Sequence, residues 1–339
     1  MTSTGHTDRK TVPALEIVDP GLQTTVQDYP GRLGLQSLGF FPAGPADHLA
    51  FRVANVLVGN RPGAAALEIP RGRFHAVALC SGLVAVCGAS GVDVTLNDRP
   101  VPTWQAVPVS EGDSLRCSVA RGPGFRLYLA VSGGIAVPEV FGSMSTFLVG
   151  GIGGLDGRAL APADVLNAYA GRTARRRGYR LPVDLRPRYT SDWEIEILRG
   201  PHADPEFLTE ADYKELLSNE WRVDVSSDRA ATRFHPHRFR WARDSGDIAG
   251  GHPSSVLDGC YPLGGILAYG DTLTVLGPDG HVSGGSAVVA TVAHASLWKI
   301  GQLRPGRDTV RLREIDLDQA AGLDEHAQFI LRPEQLEPL

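Results

Sequence analysis

Residues 65–131 read AALEIPRGRFHAVALCSGLVAVCGASGVDVTLNDRPVPTWQAVPVSEGDSLRCSVARGPGFRLYLAV, and this stretch decides the fold. Short apolar segments alternate there with turn sequences such as Arg71-Gly72, Ser81-Gly82 and Asn97-Asp98, a pattern that predicts strands. The predicted strands are ALEI, HAVALC, LVAVCG, VDVTL, AVPVS, SLRCSVA and FRLYLAV. Seven strands at this spacing are typical of a β-barrel or a β-sandwich.

The composition of the whole chain agrees with a turn-rich β protein. Of its 339 residues, 40 are glycine and 24 are proline, while 42% are hydrophobic. Glycine costs about 1 kcal/mol and proline about 3 kcal/mol in a helix interior relative to alanine, so a helical protein is excluded. The chain is therefore expected to be mainly β with a few helices.

The types of basic residue restrict the possible binding chemistry more than the net charge does. The formal net charge is −5, which gives no global field for nucleic acid. Only Lys10, Lys214 and Lys299 are lysines, and the other thirty basic residues are arginines. Lys10 falls in a polar segment expected to be disordered, and Lys214 falls in a charged helical segment. Anion binding is therefore expected to use arginine or backbone N–H groups.

Cysteine and histidine spacing predicts neither a disulfide framework nor a metal site. The four cysteines show no CxxC pair and are expected to be buried, reduced thiols, as in a cytoplasmic protein. His235 and His237 form an HPH pair without a ligand-spaced acid or cysteine, so no metal is predicted. The first residues lack an apolar core after their charges, which is unlike a signal peptide, and no membrane partner is expected.

The chain is predicted to form two β-barrel-like domains. Residues 1–13 are expected to be a disordered tail, 14–180 the first domain, and 181–339 the second domain with a C-terminal helix. The boundary falls in the segment 172–188, which carries seven arginines and one acid and is expected to be a linker. A nucleic-acid or acidic-partner patch is the other interpretation of these arginines.

Helices and further strands are predicted from apolar spacing and cap residues. One helix follows Asp47 and ends at Gly59-Asn60, and another begins at Thr209, where Thr209 and Asp212 resemble a capping box. A third helix is predicted over 318–331. In the first half, strands are also expected at 15–18 and 24–27. In the second half, the predicted strands are 193–198, 223–226, 232–234, 239–242, 266–268, 272–276 and 287–292.

Several polar residues sit where a barrel would present them at its mouth. Gln27-Asp28, followed by Arg32, puts an amide, a carboxylate and a guanidinium at a strand end. Asp28 and Arg32 have two interpretations, a ligand site or a pair that locks the turn. Asp47 is either a helix cap or a ligand. Glu68 lies in an apolar strand and needs a partner, such as Arg71 or Arg73, unless it serves a site.

The glycine-rich loop VGGIGGLDGR, residues 149–158, is not a nucleotide-binding loop, because it lacks both GxxxxGK[ST] and an in-frame GxGxxG. It either exposes backbone N–H groups to an anion, with Gly154 and Arg158 involved, or is purely structural. His281 stands two residues before Ser283, but no GxSxG elbow occurs, so a serine hydrolase is not expected.

Three stretches resemble the allophanate hydrolase subunit 2 family. They are LQTTVQDYPGRLGLQSLGFFPAGPADHLAFRVANVLVGNRPGAAALEI (22–69), VSGGI (131–135) and GSMSTFLVGGIGGLDGRAL (142–160). This family is similar to the biotin-dependent carboxyltransferase domain of urea carboxylase, and it includes the 5-oxoprolinase C subunit and the KipA antagonist. The resemblance implies two cyclophilin-like β-barrel domains, and a subunit 1 or KipI-like partner with the active cleft between the two proteins.

The resemblance also carries site residues. Gln27, Asp28 and Arg32 match a VQDxGR element of the family. Asp47 and Asn55 match its G-x-x-D…ANxLVGN helix, and Glu68 matches its ALE triplet. Asp156 and Arg158 match its G-(D/E)-G-R loop. Arg229 and Arg233 match SNRMGxRL, although Ala231 replaces its glycine. Asp279 matches DxxxTGGYP, where Ser283, Ser286 and Ala287 replace the threonine, tyrosine and proline. These departures lie in the part expected to face substrate.

What the resemblance implies is a subunit of a 5-oxoprolinase or of a biotin-dependent carboxyltransferase that acts on a small amide or lactam. Asp28 and Asp279 are the expected catalytic acids, and arginines with loop N–H groups would hold a carboxylate, a carboxyphosphate or a phosphorylated amide. The expected substrate- and anion-binding residues are Gln27, Arg32, Asp47, Glu68, Gly154, Asp156, Arg158, Arg229, Arg233, His281 and Ser283.

ATP or carboxybiotin would come from partner subunits, namely a lactam-utilisation protein or a biotin carboxylase, because no lysine lies in a P-loop or an AMKM-like context. A non-catalytic, KipA-like binding partner of a KipI-like protein is the alternative. The altered second-half motif favours that alternative.

Overall fold

Strands dominate the computed structural model, which describes residues 10–170 and 178–339, and the prediction of a mainly β fold with a few helices is confirmed. The described residues fall into two units. The first unit draws on the described parts of Met1–Gly31 and Leu49–Pro187 and on Ile330–Leu339, and the second on Arg32–His48 and Arg188–Phe329. None of the helices in the described ranges is long and apolar enough to cross a membrane.

The first unit contains two large antiparallel sheets. Its strands are β1 (Thr11–Asp19), β2 (Thr25–Gln27), β3 (Ala66–Pro70), β4 (Gly72–Ala78), β5 (Gly82–Gly88), β6 (Val94–Leu96), β7 (Arg99–Val101), β8 (Ala106–Val109), β9 (Ser114–Val119), β10 (Arg126–Val131), β11 (Ile135–Ala136), β12 (Val165–Tyr169), β13 (Tyr179–Arg180) and β22 (Glu337–Pro338). The sheet orders are β11-β12-β1-β4-β9-β6-β7 and β2-β3-β10-β5-β8, and β13 pairs with β22.

The second unit is built on one eight-stranded sheet. Its strands are β14 (Asp192–Arg199), β15 (Trp221–Arg222), β16 (Ala231–Arg233), β17 (Ser255–Cys260), β18 (Gly265–Tyr269), β19 (Thr272–Leu276), β20 (Ser283–Val292) and β21 (Thr309–Glu314). The order is β15-β21-β14-β20-β18-β19-β16, with β17 also paired to β20.

Among the described residues, the α-helices are α1 (His48–Leu57), α2 (Glu210–Ser218), α3 (Leu297–Gln302) and α4 (Leu317–Ile330).

Each unit has its own apolar core. In the first unit, alternate residues of the seven-stranded sheet, such as Leu15 and Ile17 of β1, are buried together with Leu127 and Leu129 of β10 in the five-stranded sheet. All six residues of β10 are buried. β3 and β5 pair with its two edges, Leu127 and Leu129 pack in the core, and Tyr128 contacts Phe51 of α1. Burial of a leucine or isoleucine side chain contributes roughly 1.5–3 kcal/mol, so these strands fix the architecture on which the polar residues stand.

Most predicted elements are observed. All seven strands predicted within 65–131 form, α1 begins one residue after Asp47, and α2 begins after Thr209, which makes the predicted capping box with Asp212. The strands predicted at 223–226 and 239–242 are wrong. Val223 forms only an isolated bridge with Phe234, and Phe239 and Trp241 pack into the core without a strand partner. Apolar spacing alone cannot separate a packed loop from a strand.

The cysteines are free thiols, but they are not all buried. Cys87 and Cys117 are buried, as predicted, whereas Cys80 is half-buried and Cys260 is exposed. Cys260 ends β17, whose other pairing edge is open, so the prediction of burial is wrong for this residue.

The ends of the predicted domains also differ from the observed units. Thr11–Pro13 belong to β1 and pair with β12, so the expected disordered tail is wrong for these residues. Residues 1–9 and 171–177, which include part of the arginine-rich segment, lie outside the described residues. The segment Arg32–His48 belongs to the second unit although it lies in the first half of the chain, and Ile330–Leu339 belongs to the first.

Candidate functional site

Asp28, at the end of β2, is held by a loop that comes from 115 residues further along the chain. Its Oδ1 accepts hydrogen bonds from the Ser143 and Ser145 hydroxyls, both at 2.5 Å, and its Oδ2 accepts one from the Met144 backbone N–H at 2.9 Å. Arg32 is not among these partners, so the interpretation of Asp28 and Arg32 as a turn-locking pair is wrong. Hydroxyl and amide donors orient the carboxylate without neutralising it.

Gln27 and Gly154 position this loop. The Gln27 amide nitrogen donates to the Thr146 carbonyl at 3.2 Å, and the Thr146 backbone N–H donates to the Val26 carbonyl at 2.9 Å. Gly154 donates its N–H to the Met144 carbonyl at 2.9 Å, and a Cβ on Gly154 would lie 1.9 Å from Thr146 Oγ1. Its φ of +55° also favours glycine. Both predicted site residues therefore support the residues that hold Asp28.

An asparagine pair supports the turn next to this loop. Asn60 Oδ1 accepts the Gly133 N–H at 2.9 Å, and Asn60 Nδ2 donates to the Val131 carbonyl at 2.8 Å and to Asn55 Oδ1 at 2.9 Å. Asn55 in turn donates to the Ala64 carbonyl at 2.8 Å. These bonds tie the ANVLVGN helix end to the VSGG turn, and both amides are buried, so each bond replaces one that water would make.

Asp28 lies on the wall of a cavity of about 260 Å³ within the first unit. Three further charged residues line it, which are Lys10, Arg61 and Glu139, together with the backbone of Gly133 and Gly134 and the side chains of Met144 and Tyr169. Within residues 10–170 and 178–339, the side chains of Lys10, Arg61 and Glu139 make no hydrogen bond or ion pair. The cavity thus joins an oriented carboxylate to three charged groups that face no protein partner.

Sequence reasoning missed Lys10, Arg61 and Glu139. Lys10 falls in the segment taken for a tail, but its carbonyl accepts the Ala170 N–H at 2.8 Å, next to the pairing of Thr11 with Tyr169. A signal existed for Arg61, because it directly follows the VGN that ends the recognised helix motif. Glu139 carries no local signal. Residues of the VQD, VSGG and GSMS segments line this cavity, together with Arg61 directly after VGN. The spacing of these segments along the chain does not show that they meet.

Asp279, the second expected catalytic acid, lies in a different environment in the second unit. Arg229 Nε and Nη2 donate to its two carboxylate oxygens at 2.8 and 3.0 Å, and the side chains are 7% and 5% exposed. Arg229 Nη2 also donates to the Gly44 carbonyl at 2.8 Å, and the Ala43 N–H donates to the Pro278 carbonyl at 2.9 Å. This bidentate pair ties the segment Arg32–His48 to the second unit and favours a structural role for both residues.

Other predicted residues of this segment are also engaged within the second unit. Asp47 is fully buried and accepts hydrogen bonds from the Gln302 amide at 2.8 Å and from the Tyr189 hydroxyl at 3.1 Å. Arg32 is buried, and its backbone N–H donates to the Pro42 carbonyl at 2.6 Å. His281 is exposed and meets the edge of Phe41, with ring centroids 6.0 Å apart. These positions do not gather around one described cavity.

Glu68 has partners, although not the predicted ones. Its carboxylate accepts hydrogen bonds from Arg126 Nε at 3.2 Å and from the Tyr128 hydroxyl at 2.9 Å, both on the neighbouring strand β10. The prediction of Arg71 or Arg73 as partner is wrong, because Arg71 lies in the turn after β3 and Arg73, on β4 of the other sheet, pairs with Asp19. Tyr128 is instead the direct cross-strand neighbour of Glu68. Glu68 and Arg126 are 1% and 7% exposed, which favours the structural interpretation.

The remaining predicted residues lie at the surface. Arg158 donates to both oxygens of Asp164 at 2.7 and 2.8 Å and lies 3.7 Å from Asp156. Hydrogen bonding to Arg158 holds the pKa of the Asp164 carboxyl below its usual value. Arg233 on β16 donates to the Ser226 carbonyl at 2.6 Å, and Ser283 starts β20 opposite Cys260. In the 149–158 loop the arginine pairs with an acid, which favours the purely structural alternative.

Histidine and acid side chains do not form a metal centre in the part of the chain that the structure describes, where no three potential ligands lie close together. The two lysines outside the cavity are ion-paired. Lys214 contacts Glu210 at 2.6 Å, and Lys299 contacts Glu196 at 2.7 Å. Lys10 is therefore the one lysine of the chain without an ionic partner among the described residues.

The described residues thus form a mainly β protein with a small cavity whose lining includes four charged residues. Residues 38–314 match the family described as "Carboxyltransferase domain, subdomain A and B". The chain belongs to this family.

Relatives and solved structures agree with this membership. The chain is 38% identical over 330 residues to the urea amidolyase of Lachancea kluyveri, covering 92% of this chain and 17% of that protein. It is 30% identical over 301 residues to the 5-oxoprolinase C subunit of Escherichia coli (strain K12), covering 86% of this chain and 89% of the relative. The crystal structure of the K. lactis urea amidolyase superimposes with a TM-score of 0.89 at 35% identity, over 96% of this chain and 20% of that one.

The chain thus corresponds to about a fifth of the urea amidolyases and to most of the 5-oxoprolinase C subunit. Its relatives are enzymes or enzyme subunits, and the recognition of this family from the motifs is confirmed.

Proposed function

We propose that this chain is a carboxyltransferase-type subunit of a complex that acts on a small amide or lactam, with the Asp28 cavity as its substrate site. The observation that carries the proposal is that three separate motif segments line one cavity in the first unit, while Asn60 of a fourth segment is bonded to the Gly133 turn in its wall. The similarity to a 5-oxoprolinase subunit and to urea amidolyases supports the substrate class.

The residues of this chain have distinct parts in the proposed chemistry. Asp28, oriented by Ser143, Met144 and Ser145, accepts or returns a proton at the amide nitrogen of the substrate, because its carboxylate has a fixed direction. Asn60 fixes the Gly133 turn at the cavity wall. The backbone and hydroxyl bonds preorganise the wall, so no reorganisation is needed when charge develops.

ATP or carboxybiotin is proposed to come from partner subunits, including a subunit 1 or KipI-like protein. Carboxybiotin, when bound, would supply an activated carboxyl group. The donor set of this chain fits an anionic group of that kind, because Lys10 and Arg61 line the cavity. It does not resemble a nucleotide phosphate cradle, since the sequence has no P-loop pattern.

The test is reconstitution. The chain is co-purified with its subunit 1-like partner and a lactam-utilisation or biotin carboxylase subunit, and ATP-dependent cleavage of 5-oxoproline and ATP-dependent urea carboxylation are assayed. We expect turnover in one of the two assays that requires this chain. Turnover in neither assay, despite stable assembly, would contradict the proposal.

A non-catalytic, KipA-like partner role is the second candidate, and the replaced motif residues of the second unit favour it. Ala287 and Ser286 are both buried in β20, so two of the three replaced positions lie within the packed sheet. Tight binding of the subunit 1-like partner without turnover of any lactam or urea would support this role.

A further inference from the structure

We propose that Lys10 and Arg61 bind a carboxylate on the ligand of the Asp28 cavity, while Glu139 accepts an N–H from the same ligand. The ligand would then be a small amide or ureide that itself carries a carboxylate, rather than a neutral one. This inference rests on the proposed function, because it names the ligand class of the same cavity.

The argument begins with the groups that remain available to a ligand. Asp28 already accepts three hydrogen bonds from its loop, and the proposed function assigns its remaining acceptor position to the reacting nitrogen of the substrate. Lys10, Arg61 and Glu139 line the same cavity, and within the described residues their side chains contact no partner. Two cationic donors and one anionic acceptor are thus left, which matches a ligand with one anionic group and one N–H group.

Both cations have anchored backbones, so the cavity does not depend on their side chains for its shape. The carbonyl of Lys10 accepts the Ala170 N–H at 2.8 Å, and the carbonyl of Arg61 accepts the Ala64 N–H at 3.0 Å. Arg61 also follows Asn60, whose amide is bonded to the VSGG turn. Because the backbone is already fixed, binding an anion orders only the cationic side chains and not the chain segments that carry them.

The size of the cavity agrees with a small carboxylate. Its volume of about 260 Å³ lies at or below the lower end of pockets for drug-sized ligands, which start at about 300 Å³. A lactam acid or a ureido acid has few enough atoms for this volume. Arginine binds a carboxylate through two parallel N–H bonds, and lysine adds a point charge, so both residue types suit this anion.

The test compares matched probes by calorimetry on the full chain. 5-Oxoproline is compared with 2-pyrrolidone, and N-carbamoylglycine with N-methylurea, so that each pair differs in the carboxylate. We expect each acid to bind at least about tenfold more tightly than its neutral counterpart, with an affinity that falls as salt increases. Equal affinities within the pairs, or no binding of either acid, would overturn the inference.

Variants assign the effect to the two cations. Lys10→Gln and Arg61→Gln should each weaken binding of the acids about tenfold, because each removes a charged hydrogen bond, and should leave the neutral probes unchanged. Arg121→Gln replaces an exposed arginine of the same unit that does not line the cavity, and it should have no effect. Loss of acid binding by Arg121→Gln as large as that by Arg61→Gln would also overturn the inference.

The proposed function and the carboxylate inference can be disproved independently of each other. If the reconstituted complex turns over a substrate while the acid and neutral probes bind alike, the carboxylate inference is wrong and the proposed function stands. If the acids bind through Lys10 and Arg61 but no complex turns over, the cavity binds carboxylates and the proposed enzymatic role is wrong.

Discussion

Asp28 in the first unit and Asp279 in the second are the same residue type in contrasting surroundings. Asp28 is partly buried, is held by two hydroxyls and one amide, and lines a cavity. Asp279 is 5% exposed and shares both oxygens with Arg229. An aspartate therefore lines a cavity in one unit, whereas in the other unit an aspartate forms a buried ion pair with an arginine.

The contrast extends to the other charges of each unit. In the second unit, Glu196 is bonded to Lys299, Arg313 and Ser296. In the first, Lys10 and Arg61 meet no acid among the described residues. Charges that are buried and paired add to the specificity of a fold, whereas charges that line a cavity without partners cost stability and are typical of binding sites.

The largest expected effect tests whether the buried pair of Arg229 and Asp279 stabilises the second unit. Arg229→Met should lower the free energy of unfolding by about 3–5 kcal/mol, because it leaves the Asp279 carboxylate buried without its cation. The double variant Arg229→Met/Asp279→Leu should recover most of that loss, because no charge then remains buried. Urea denaturation measures both. A double variant as unstable as the single one would show that the pair does more than neutralise charge.

The next largest effect tests the proposed role of Asp28 in proton transfer. Asp28→Asn should lower turnover of the reconstituted complex about a hundredfold, because an amide cannot accept the proton, while the unfolding free energy changes little. Asp93→Asn, at an exposed carboxylate of the same unit, is the matched control. Comparable rates for Asp28→Asn and Asp93→Asn would remove Asp28 from the proposed chemistry.

A smaller effect is expected at the amide that supports the cavity wall. Asn60→Ala should lower the free energy of unfolding by roughly 1–3 kcal/mol, because the Gly133 N–H and the Val131 carbonyl lose a buried partner. Binding of 5-oxoproline should weaken as well, since the turn at the wall is released. Thermal denaturation and calorimetry measure the two effects, and weakened binding without any loss of stability would contradict this explanation.

The smallest expected effect depends on pH. Burial alone would raise the pKa of Glu196, but hydrogen bonds from Lys299 and Ser296 outweigh burial and bring it below its ordinary value of 4.5. The stabilisation is therefore present above pH 4.5 and is lost as the pH falls through the lowered pKa.

Glu196→Gln should lower the unfolding free energy by about 1 kcal/mol at neutral pH, a value limited by partial solvent screening. The difference from the unsubstituted chain should shrink as the pH falls below 4.5, because the glutamine does not titrate. Denaturation at several pH values measures this gap, and a gap that is constant with pH would contradict the assignment to the charged form of Glu196.

Local patterns predicted most of the elements. The seven strands of 65–131, the helix after Asp47 and the capping box at Thr209 follow from residue spacing and turn chemistry that act over a few residues. The failures at 223–226 and 239–242 arise because a packed loop and a strand can share the same apolar pattern. The partner of Glu68 was missed because Arg126 lies 58 residues away and becomes a neighbour only through strand pairing.

The sequence by itself determined the mainly β class, the family and the motif segments around Asp28, because these depend on residue type and short-range spacing. Only the tertiary structure decided that Asp28 faces a cavity while Asp279 is paired, that Arg32–His48 belongs to the second unit, and that Lys10 joins Arg61 and Glu139. The physical reason is that the environment of a charge is set by side chains distant in sequence, which pairing and burial bring together only in the folded chain.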